Sequence, residues 1–232
     1  MKDRVIVLTG AGISAESGLK TFRGNDGLWE HEKIEDICTP EGYYSNKKRV
    51  KDFYNLLRRG LSKYKPNAAH KALVELEQYL GDEFLLITQN VDNLHEQAGS
   101  RKVLHMHGDL CRLTCERNFD HKFIFNQDET LDTRCPFCGA MSRPDIVFFG
   151  EMPLYMDYIQ EALAHCEEFI YIGTSSVVYP AAGFKSIAKH YGAKVTCLNL
   201  EVPSHDPYTD ICIQGKATEV VPQWVSEFIK KK

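Results

Sequence analysis

The sequence predicts an α/β fold in which a doubly wound parallel sheet carries a smaller inserted lobe. Four short apolar runs have the composition of strands buried on both faces, and they lie at residues 5–8, 84–87, 169–172 and 195–198. Helical patterns at residues 67–80 and 181–191 fall between these runs. Strands that alternate with helices are typical of a doubly wound sheet.

Two segments break this alternation. Residues 24–66 are polar and aromatic, with a predicted helix from about Lys47 to Lys63, and residues 108–143 hold a cluster of cysteines. We predict that both are insertions that pack together as a small lobe. The core of the single domain then consists of residues 1–23, 67–107 and 144–232.

The composition excludes several classes of protein. The 232 residues carry 28 Lys and Arg against 32 Asp and Glu, and the net charge of -4 offers no electrostatic footprint for nucleic acid or an anionic membrane. No apolar run approaches the roughly 20 residues that span a bilayer. Strand-like residues begin at Val5 and leave no room for a signal peptide, so we expect a soluble, cytoplasmic protein.

The first predicted strand is followed by Gly10-Ala11-Gly12-Ile13-Ser14-Ala15. This segment matches a dinucleotide-binding fingerprint with alanine in the third glycine position, because such glycines let the backbone turn tightly and approach a pyrophosphate. A glycine turn without a ligand is the alternative. A dehydrogenase would have an acidic residue at a second strand about 20 residues on. This chain has Thr21-Phe22-Arg23-Gly24 there, which counts against hydride transfer.

Polar side chains crowd the end of the next strand, in Thr88-Gln89-Asn90-Val91-Asp92-Asn93-Leu94-His95. Ligands bind at this end of a parallel sheet, and Asn and Asp can together hold a carboxamide. The alternative is a turn that caps the next helix. Further on, His105 and His107 make a poor metal site by themselves, but a histidine beside a glycine suits a general base. A buried structural histidine is the alternative for His105 and for His95.

The cysteines of the second insertion predict a zinc site. Cys111-x3-Cys115 and Cys135-x2-Cys138 are separated by 19 residues, as in a zinc ribbon. Nothing nearby resembles an open catalytic site, so we expect one structural ion, with coincidence as the alternative. Residues 143–151 are predicted to be an exposed extended segment suited to peptide docking, and Gly173-Thr174-Ser175-Ser176 offers polar contacts for a ribose or phosphate.

Taken together, these motifs resemble those of the sirtuin family, the NAD-dependent protein lysine deacylases. The resemblance covers nearly the whole chain in order. It is carried by Gly10-Ala11-Gly12-Ile13-Ser14, Thr21-Phe22-Arg23, Thr88 to His95, His107-Gly108, the cysteine insertion, Phe149-Gly150-Glu151 and Gly173-Thr174-Ser175. Residues 39–43 and 52–55 are similar to the bacterial class III branch of that family.

The resemblance implies a Rossmann-type domain and a small zinc lobe, with NAD and an acyl-lysine peptide meeting in the cleft of a monomer. In that family the acyl amide oxygen attacks the ribose C1′, nicotinamide leaves, a histidine acts as base on a ribose hydroxyl, and the acyl group ends on ADP-ribose. By position His107, and not His105, is this base, and Asn90 and Asp92 hold the nicotinamide.

The resemblance also implies two sets of binding residues. The other NAD contacts would be Gly10, Ala11, Gly12, Ser14, Phe22, Arg23, Gln89, Val91, Gly173, Thr174, Ser175, Asn199, Leu200, Glu201 and Ala217. The contacts to the acyl peptide would be Tyr54, Leu57, Val147, Phe148, Gly150 and Glu151.

The zinc ligands depart from the family pattern. Cys115 takes the first ligand position, and the cysteine expected three residues later is Asn118 in this chain. The predicted ligands are therefore Cys115, Cys135 and Cys138. The fourth position stays open between Cys111, Asn118, His121 and water.

The acyl pocket departs from the bacterial class III branch, which reads an acyl carboxylate with a Tyr and an Arg three residues later. Tyr54 is present, but Leu57 stands in the arginine position, and Arg58 is rotated by about 100° around the helix. A buried carboxylate without its cation costs on the order of several kcal/mol. We therefore predict weak desuccinylation and a pocket suited to acetyl or longer apolar acyl groups.

Two other functions remain as alternatives. A protein ADP-ribosyltransferase on the same fold would transfer the ribose to a protein nucleophile. An NAD-sensing zinc-ribbon module would bind NAD without releasing nicotinamide. A histidine base beside Asn90 and Asp92 favours turnover, because binding alone needs no base.

Overall fold

The computed structural model describes residues 4–19, 33–175, 178–202 and 206–231, and within these ranges nine strands form two sheets. The strands are β1 (Val5–Thr9), β2 (Phe84–Thr88), β3 (Val103–His105), β4 (Gly108–Cys115), β5 (Lys122–Ile124), β6 (Ser142–Ile146), β7 (Glu168–Ile172), β8 (Lys194–Asn199) and β9 (Ile211–Gln214). The helices are α1 (Gly12–Ala15), α2 (Ile34–Ile37), α3 (Pro40–Ser45), α4 (Lys47–Gly60), α5 (Ala68–Leu80), α6 (Leu94–Ala98), α7 (Met156–Leu163), α8 (Phe184–His190) and α9 (Ala217–Lys231). None of these helices has the length and apolar character needed to cross a bilayer.

The larger sheet has six parallel strands in the order β3-β2-β1-β7-β8-β9. Its four central strands are the apolar runs of the sequence, and Val7 at the centre pairs with Leu86 on one side and Ile170 on the other. The edge strands β3 and β9 were not predicted. Both are short, and β9 is largely exposed, so neither carries the long buried run that identifies a strand.

The two faces of this sheet are covered by different helices. Val5 and Val7 belong to a core that includes α5 and α9, whereas Ile6 and Leu8 belong to a core that includes α7 and α8. Successive strand residues point to opposite faces, so a strand with helices on both sides must be apolar at every position. The predicted doubly wound parallel sheet is confirmed.

The smaller sheet is antiparallel and has the order β5-β4-β6. It was not predicted as strands, because β4 has a register shift between Gly108 and Leu113 that interrupts the alternation of buried and exposed residues. Strand β6 also extends this sheet to Ile146, three residues past the predicted boundary at 143.

A third hydrophobic core joins α2, α3 and α4 to the smaller sheet. Its members include Tyr43, Val50 and Tyr54 from the helices, with Leu110 from β4 and Phe148 beyond β6. The predicted helix from Lys47 is confirmed, and it ends as an α-helix at Gly60 before a short 3₁₀ turn at 61–63.

A buried ion pair ties α4 to the loop before Cys135. The Lys51 ammonium lies 2.9 Å from a carboxylate oxygen of Glu129, and both side chains are at most 1% exposed. The same ammonium donates to the carbonyls of Thr130 and Ser142 at 3.0 and 2.8 Å. A buried charge needs such partners, because its loss of water is otherwise uncompensated.

We expect Lys51→Met to lower the free energy of unfolding by about 3–5 kcal/mol, because it leaves the Glu129 carboxylate buried without its cation. Urea denaturation measures this loss. Lys48→Met is the matched control: its salt bridge with Asp52 is exposed, so the change should stay within about 0.5 kcal/mol. Equal losses in the two variants would contradict the expectation.

Candidate active site

The loops that follow β1 and β7 touch each other at the carboxyl edge of the large sheet. The amide of Gly12 donates to the carbonyl of Gly173 at 2.8 Å, and a Cβ on Gly12 would lie 2.7 Å from the Gly173 Cα. Gly173 has φ +60°, a conformation that favours glycine. A Cβ on Gly10 would also meet Gly173, 2.8 Å from its carbonyl oxygen. The glycines of the fingerprint are therefore required by this loop-to-loop contact. Phe22 and Arg23 lie outside the described residues.

The predicted NAD contacts from three strand ends converge on Thr174. The amide nitrogen of Gln89, after β2, donates to the Thr174 hydroxyl at 2.9 Å, and that of Asn199, at the end of β8, donates to the Thr174 carbonyl at 3.0 Å. Further predicted contacts flank this cluster, with Ser175, Leu200 and Glu201 exposed and Ala217 buried at the start of α9.

A cavity of about 230 Å³ opens beside these loops. Ser14, Asn90 and Asp92 supply polar side chains to its lining, and the apolar side chains include Ala11, Leu19, Leu56, Leu57, Leu61, Val91 and Leu110. The Asn90 side-chain oxygen is buried and has no hydrogen-bond partner among the described residues. A carboxamide such as that of nicotinamide would supply the missing donor, so these residues fit the group.

His105 and His107 donate to consecutive backbone carbonyls but differ in their second ring nitrogen. The Nδ1 atoms of His107 and His105 lie 3.1 and 3.0 Å from the carbonyl oxygens of Gln89 and Asn90. Because a carbonyl only accepts, each Nδ1 carries a hydrogen. The Nε2 of His105 also bonds to a Glu96 carboxylate oxygen at 2.8 Å. In the charged ring this nitrogen carries a hydrogen as well, so it has no lone pair with which to accept a proton.

The surroundings of the two rings shift their pKa values in opposite directions. Burial lowers the pKa of His107, and its hydrogen bond to Gln89 offsets only part of this effect. Burial also acts to lower the pKa of His105, but the hydrogen bond and charge of Glu96 raise it above its usual value. His107 is therefore the neutral imidazole with an unprotonated Nε2, which a general base requires.

Residues 147–151 differ from the predicted exposed docking segment. The Phe148 side chain is 1% exposed and lies under the guanidinium of Arg143, 4.2 Å from its ring centre. Glu151 forms a two-point ion pair with Arg143 at 2.7 and 2.8 Å and accepts from the Phe148 amide. The Phe148 side chain therefore packs in the aromatic core against Arg143, and the prediction that Phe148 contacts an acyl peptide stays a prediction. Phe149 and Gly150 are exposed, whereas Val147 is half-buried.

The structure separates the two residues predicted for the acyl pocket. Leu57 lines the cavity, but Tyr54 does not, because its ring packs on Phe148 with ring centres 6.2 Å apart. The Tyr54 hydroxyl has no hydrogen-bond partner of standard geometry among the described residues. Burial raises the pKa of Tyr54, and the nearby Cys38 thiol raises it further. Arg58 is engaged by the Leu110 carbonyl at 2.6 Å and the Asn55 amide oxygen at 2.7 Å, and it is not in the cavity lining.

Four potential zinc ligands cluster at the far end of β4. The Sγ atoms of Cys115, Cys135 and Cys138 and a ring nitrogen of His121 all lie within 4.8 Å of one another. Cys115 Sγ is 3.5 Å from Cys138 Sγ, and Cys135 Sγ is 3.7 Å from His121 Nδ1. Tetrahedral zinc with bonds of about 2.0–2.3 Å places its ligand atoms roughly 3.5–3.8 Å apart, so this donor set fits one ion. Four protein ligands close the coordination shell, which makes the site structural.

Comparison with known proteins decides the family. The family model described as "Sir2 family" matches residues 10–180. A protein of Pasteurella multocida strain Pm70, named NAD-dependent protein deacylase, is 50% identical over 230 residues, which are 97% of this chain and 98% of that protein. The chain belongs to the Sir2 family. The resemblance to sirtuins found in the sequence is thus confirmed.

Solved sirtuin structures share the fold. A crystal structure of a Sir2 homologue in complex with NAD superimposes with a TM-score of 0.86 at 37% identity, covering 98% of this chain and 89% of that one. The structure of Sir2Af2 bound to a myristoylated histone peptide has a TM-score of 0.71 at 36% identity, with 98% and 91% covered.

The zinc cluster of this sirtuin explains the missing cysteine at position 118. Asn118 accepts from the amide of Asp120 through its side chain and from the amide of His121 through its carbonyl, both at 3.0 Å. This tight turn returns the chain so that the Cys115 amide bonds to the His121 carbonyl at 3.1 Å. Asn118 therefore brings His121 to the cluster and is not itself among the clustered ligands.

Cys111, which the initial spacing placed among the ligands, lies outside the cluster. It is on the same strand as Cys115, and four residues of strand span about 13 Å, too far for two sulfur atoms that bind one ion. Burial and the nearby Asp109 raise the pKa of the Cys111 thiol to about 11, so it stays protonated. The strand spacing would have excluded Cys111 if β4 had been recognised in the sequence.

Proposed function

We propose that this sirtuin removes acyl groups from lysine side chains with His107 as the general base. The enzyme is an NAD-dependent protein deacylase, and NAD supplies the ADP-ribosyl group that accepts the acyl group. The observation that carries the assignment is the hydrogen bond from His107 Nδ1 to the Gln89 carbonyl, which directs the ring hydrogen to Nδ1 and leaves the lone pair on Nε2, in a buried site that lowers the pKa of the ring. Deacetylation and the removal of longer apolar acyl groups suit the leucine-rich cavity.

The other roles follow from the chemistry of the side chains. Asn90 would accept from the nicotinamide NH2, and Asp92, held by the Leu94 amide and the Ser14 hydroxyl, would orient the same group. Gln89 and Thr174 would contact the ribose, and Asn199 to Glu201 would lie near the adenosine. Val147, Gly150 and the exposed Phe149 would meet the peptide. Residues 24–66 and 108–143 would act as one lobe facing the core.

Nicotinamide release tests this function. Matched acetyl-, succinyl- and myristoyl-lysine peptides are incubated with NAD and the wild-type protein, and the products are separated. Release that requires an acyl peptide, with the acyl group recovered on ADP-ribose, is expected. Label from the NAD adenylate on protein would favour an ADP-ribosyltransferase. Tight NAD binding without any release would favour a sensing module.

Leu57→Arg should raise desuccinylation by at least about tenfold, because it adds the cation for an acyl carboxylate at the cavity. The ratio of kcat/KM for succinyl- to acetyl-lysine peptide measures this effect. Lys63 also lines the cavity, but its side chain is exposed and its charge is screened by water. Leu131→Arg is the matched control, since Leu131 is 45% exposed and does not line the cavity. An unchanged ratio in Leu57→Arg would refute the role of this position.

The remaining proposals concern the cell. We place the enzyme in the cytoplasm, because Cys38, Cys166 and Cys197 are buried free thiols and a thiolate zinc cluster is typical of reducing compartments. We further propose that it acts as a monomer on acyl-lysine-bearing proteins, without direct contact to nucleic acid or membrane. Size-exclusion chromatography with light scattering checks the monomer.

A further inference from the structure

A chain of buried hydrogen bonds lies behind the polar part of the cavity. His70 Nε2 lies 3.4 Å from the Ser14 hydroxyl oxygen, and that hydroxyl donates to an Asp92 carboxylate oxygen at 3.1 Å. The amide nitrogen of Asn90 donates to the same hydroxyl oxygen at 3.3 Å. All four side chains are buried, with His70 fully so. His70 does not line the cavity.

The hydrogen bonds around His70 allow one tautomer. The backbone amide of Asn67, the N-cap of α5, donates to His70 Nδ1 at 3.3 Å, so this nitrogen carries no hydrogen. The hydrogen of the neutral ring is therefore on Nε2 and points to Ser14. The Ser14 oxygen then accepts from His70 and Asn90, and its only hydrogen goes to Asp92.

We propose that His70 is a positioning residue for nicotinamide, because its Nε2 hydrogen forces the Ser14 hydroxyl to donate to Asp92 and turns the Asn90 oxygen toward the cavity. The proposal rests on the proposed nicotinamide site at Asn90 and Asp92. Without the Nε2 donor, Ser14 could rotate its hydrogen away from Asp92, and both nicotinamide-binding side chains would lose a fixed orientation.

The neutral ring persists in this environment. Burial lowers the pKa of His70 to about 4, and the charge of Glu96 offsets this only in part. The other titratable groups that face this region are His95 on α6, whose ring centre is 4.9 Å away, and Asp92, reached through Ser14. Burial also keeps the pKa of His95 well below its usual value, so no cation lies beside His70 near neutral pH.

Two substitutions separate positioning from a purely structural role. The side-chain amide nitrogen of glutamine reaches about as far as histidine Nε2, so His70→Gln keeps the donor to Ser14, whereas His70→Leu removes it. Both variants lose the acceptor for the Asn67 amide and with it the half of the α5 capping box that His70 supplies. A purely structural role would therefore affect them alike, and thermal denaturation monitors that shared loss.

We expect His70→Leu to raise the inhibition constant of nicotinamide and the KM for NAD by about tenfold or more, with the KM for acyl peptide within about twofold. His70→Gln should stay within about threefold of wild type. In a Ser14→Ala background, the additional change His70→Leu should have an effect below about twofold, because its route to Asp92 is already cut.

Several outcomes would overturn the proposal. Equal defects in His70→Gln and His70→Leu, or additive effects in the Ser14→Ala background, would show that His70 does not act through Ser14. If the variants fail to fold, ¹⁵N NMR of wild type decides, since a protonated His70 Nδ1 contradicts the tautomer. If the wild-type protein releases no nicotinamide, the proposed function is overturned as well. If the wild-type protein turns over normally and the variants show equal defects or additive effects, only the role of His70 is overturned.

Discussion

His107→Ala should lower the rate of acyl transfer to ADP-ribose by about 10²–10⁴-fold, the range that a positioned general base contributes. The reason is that His107 keeps Nε2 unprotonated, because Nδ1 donates to the Gln89 carbonyl. Single-turnover formation of O-acyl-ADP-ribose with an acetyl-lysine peptide measures this step. His165→Ala is the matched control, since His165 is exposed just past α7 and its side chain bonds only to the Glu161 carbonyl in the described structure.

The pH dependence of the same rate carries a second signature of His107. Its pKa is lowered by burial, so the neutral, active form persists as the pH falls, and the rate should decline only below about pH 6.5. A decline that begins above pH 6.5 would instead point to His105, whose pKa is raised. A rate unchanged in His107→Ala would remove this residue from the chemistry.

His121→Ala should release most of the bound zinc and destabilise the small sheet by several kcal/mol. The binding free energy of structural zinc is roughly 10–16 kcal/mol, and loss of one ligand removes part of it. Loss of one ligand opens the cluster of His121 with Cys115, Cys135 and Cys138 that would hold the ion. Zinc content by elemental analysis and the midpoint of thermal unfolding measure the two effects. The midpoint should fall by about 2–4 °C for each kcal/mol lost.

Cys111→Ser is the control for the zinc prediction. Cys111 is a half-buried thiol in the third core, with its pKa raised to about 11, so this variant should keep a full zinc content. Cys135→Ser should behave like His121→Ala. If Cys111→Ser lost zinc and His121→Ala kept it, the assignment of the fourth ligand would be reversed.

Local sequence patterns predicted the strands and helices whose burial follows a regular pattern along the element. The strands β1, β2, β7 and β8 each carry a mainly apolar run because helices cover both of their faces, so they were recognised without knowing their neighbours. Helix α5 was also recognised, and its predicted first residue, Asn67, is the N-cap in the structure. The strands of the smaller sheet were missed, because each is short or irregular and only pairing with the others makes them strands.

The parts of the candidate site that depend on residue types at fixed spacings could be predicted from the sequence. The glycine loop, the polar end of β2 and the cysteines could be named from spacing, because a tight turn, a strand end and a metal ligand each require particular residue types. Spacing alone left a buried structural role open for His105, and only the family resemblance favoured His107 over His105 as the base. The environments of the two rings differ because Glu96 bonds to the Nε2 of His105, whereas among the described residues the His107 ring bonds only through Nδ1, to the Gln89 carbonyl.

The sequence by itself determined the doubly wound sheet, the nucleotide loop and the family, and it predicted the three cysteines that the structure clusters, since those follow from residue types at fixed separations. Only the tertiary structure decided that His121 joins the cysteine cluster, that Tyr54 and Phe148 pack on each other, and that the pKa of His107 is lowered while that of His105 is raised. These outcomes depend on burial and on hydrogen bonds between distant residues. Burial and partners set the protonation and accessibility of a side chain, and neither is encoded in its immediate neighbours.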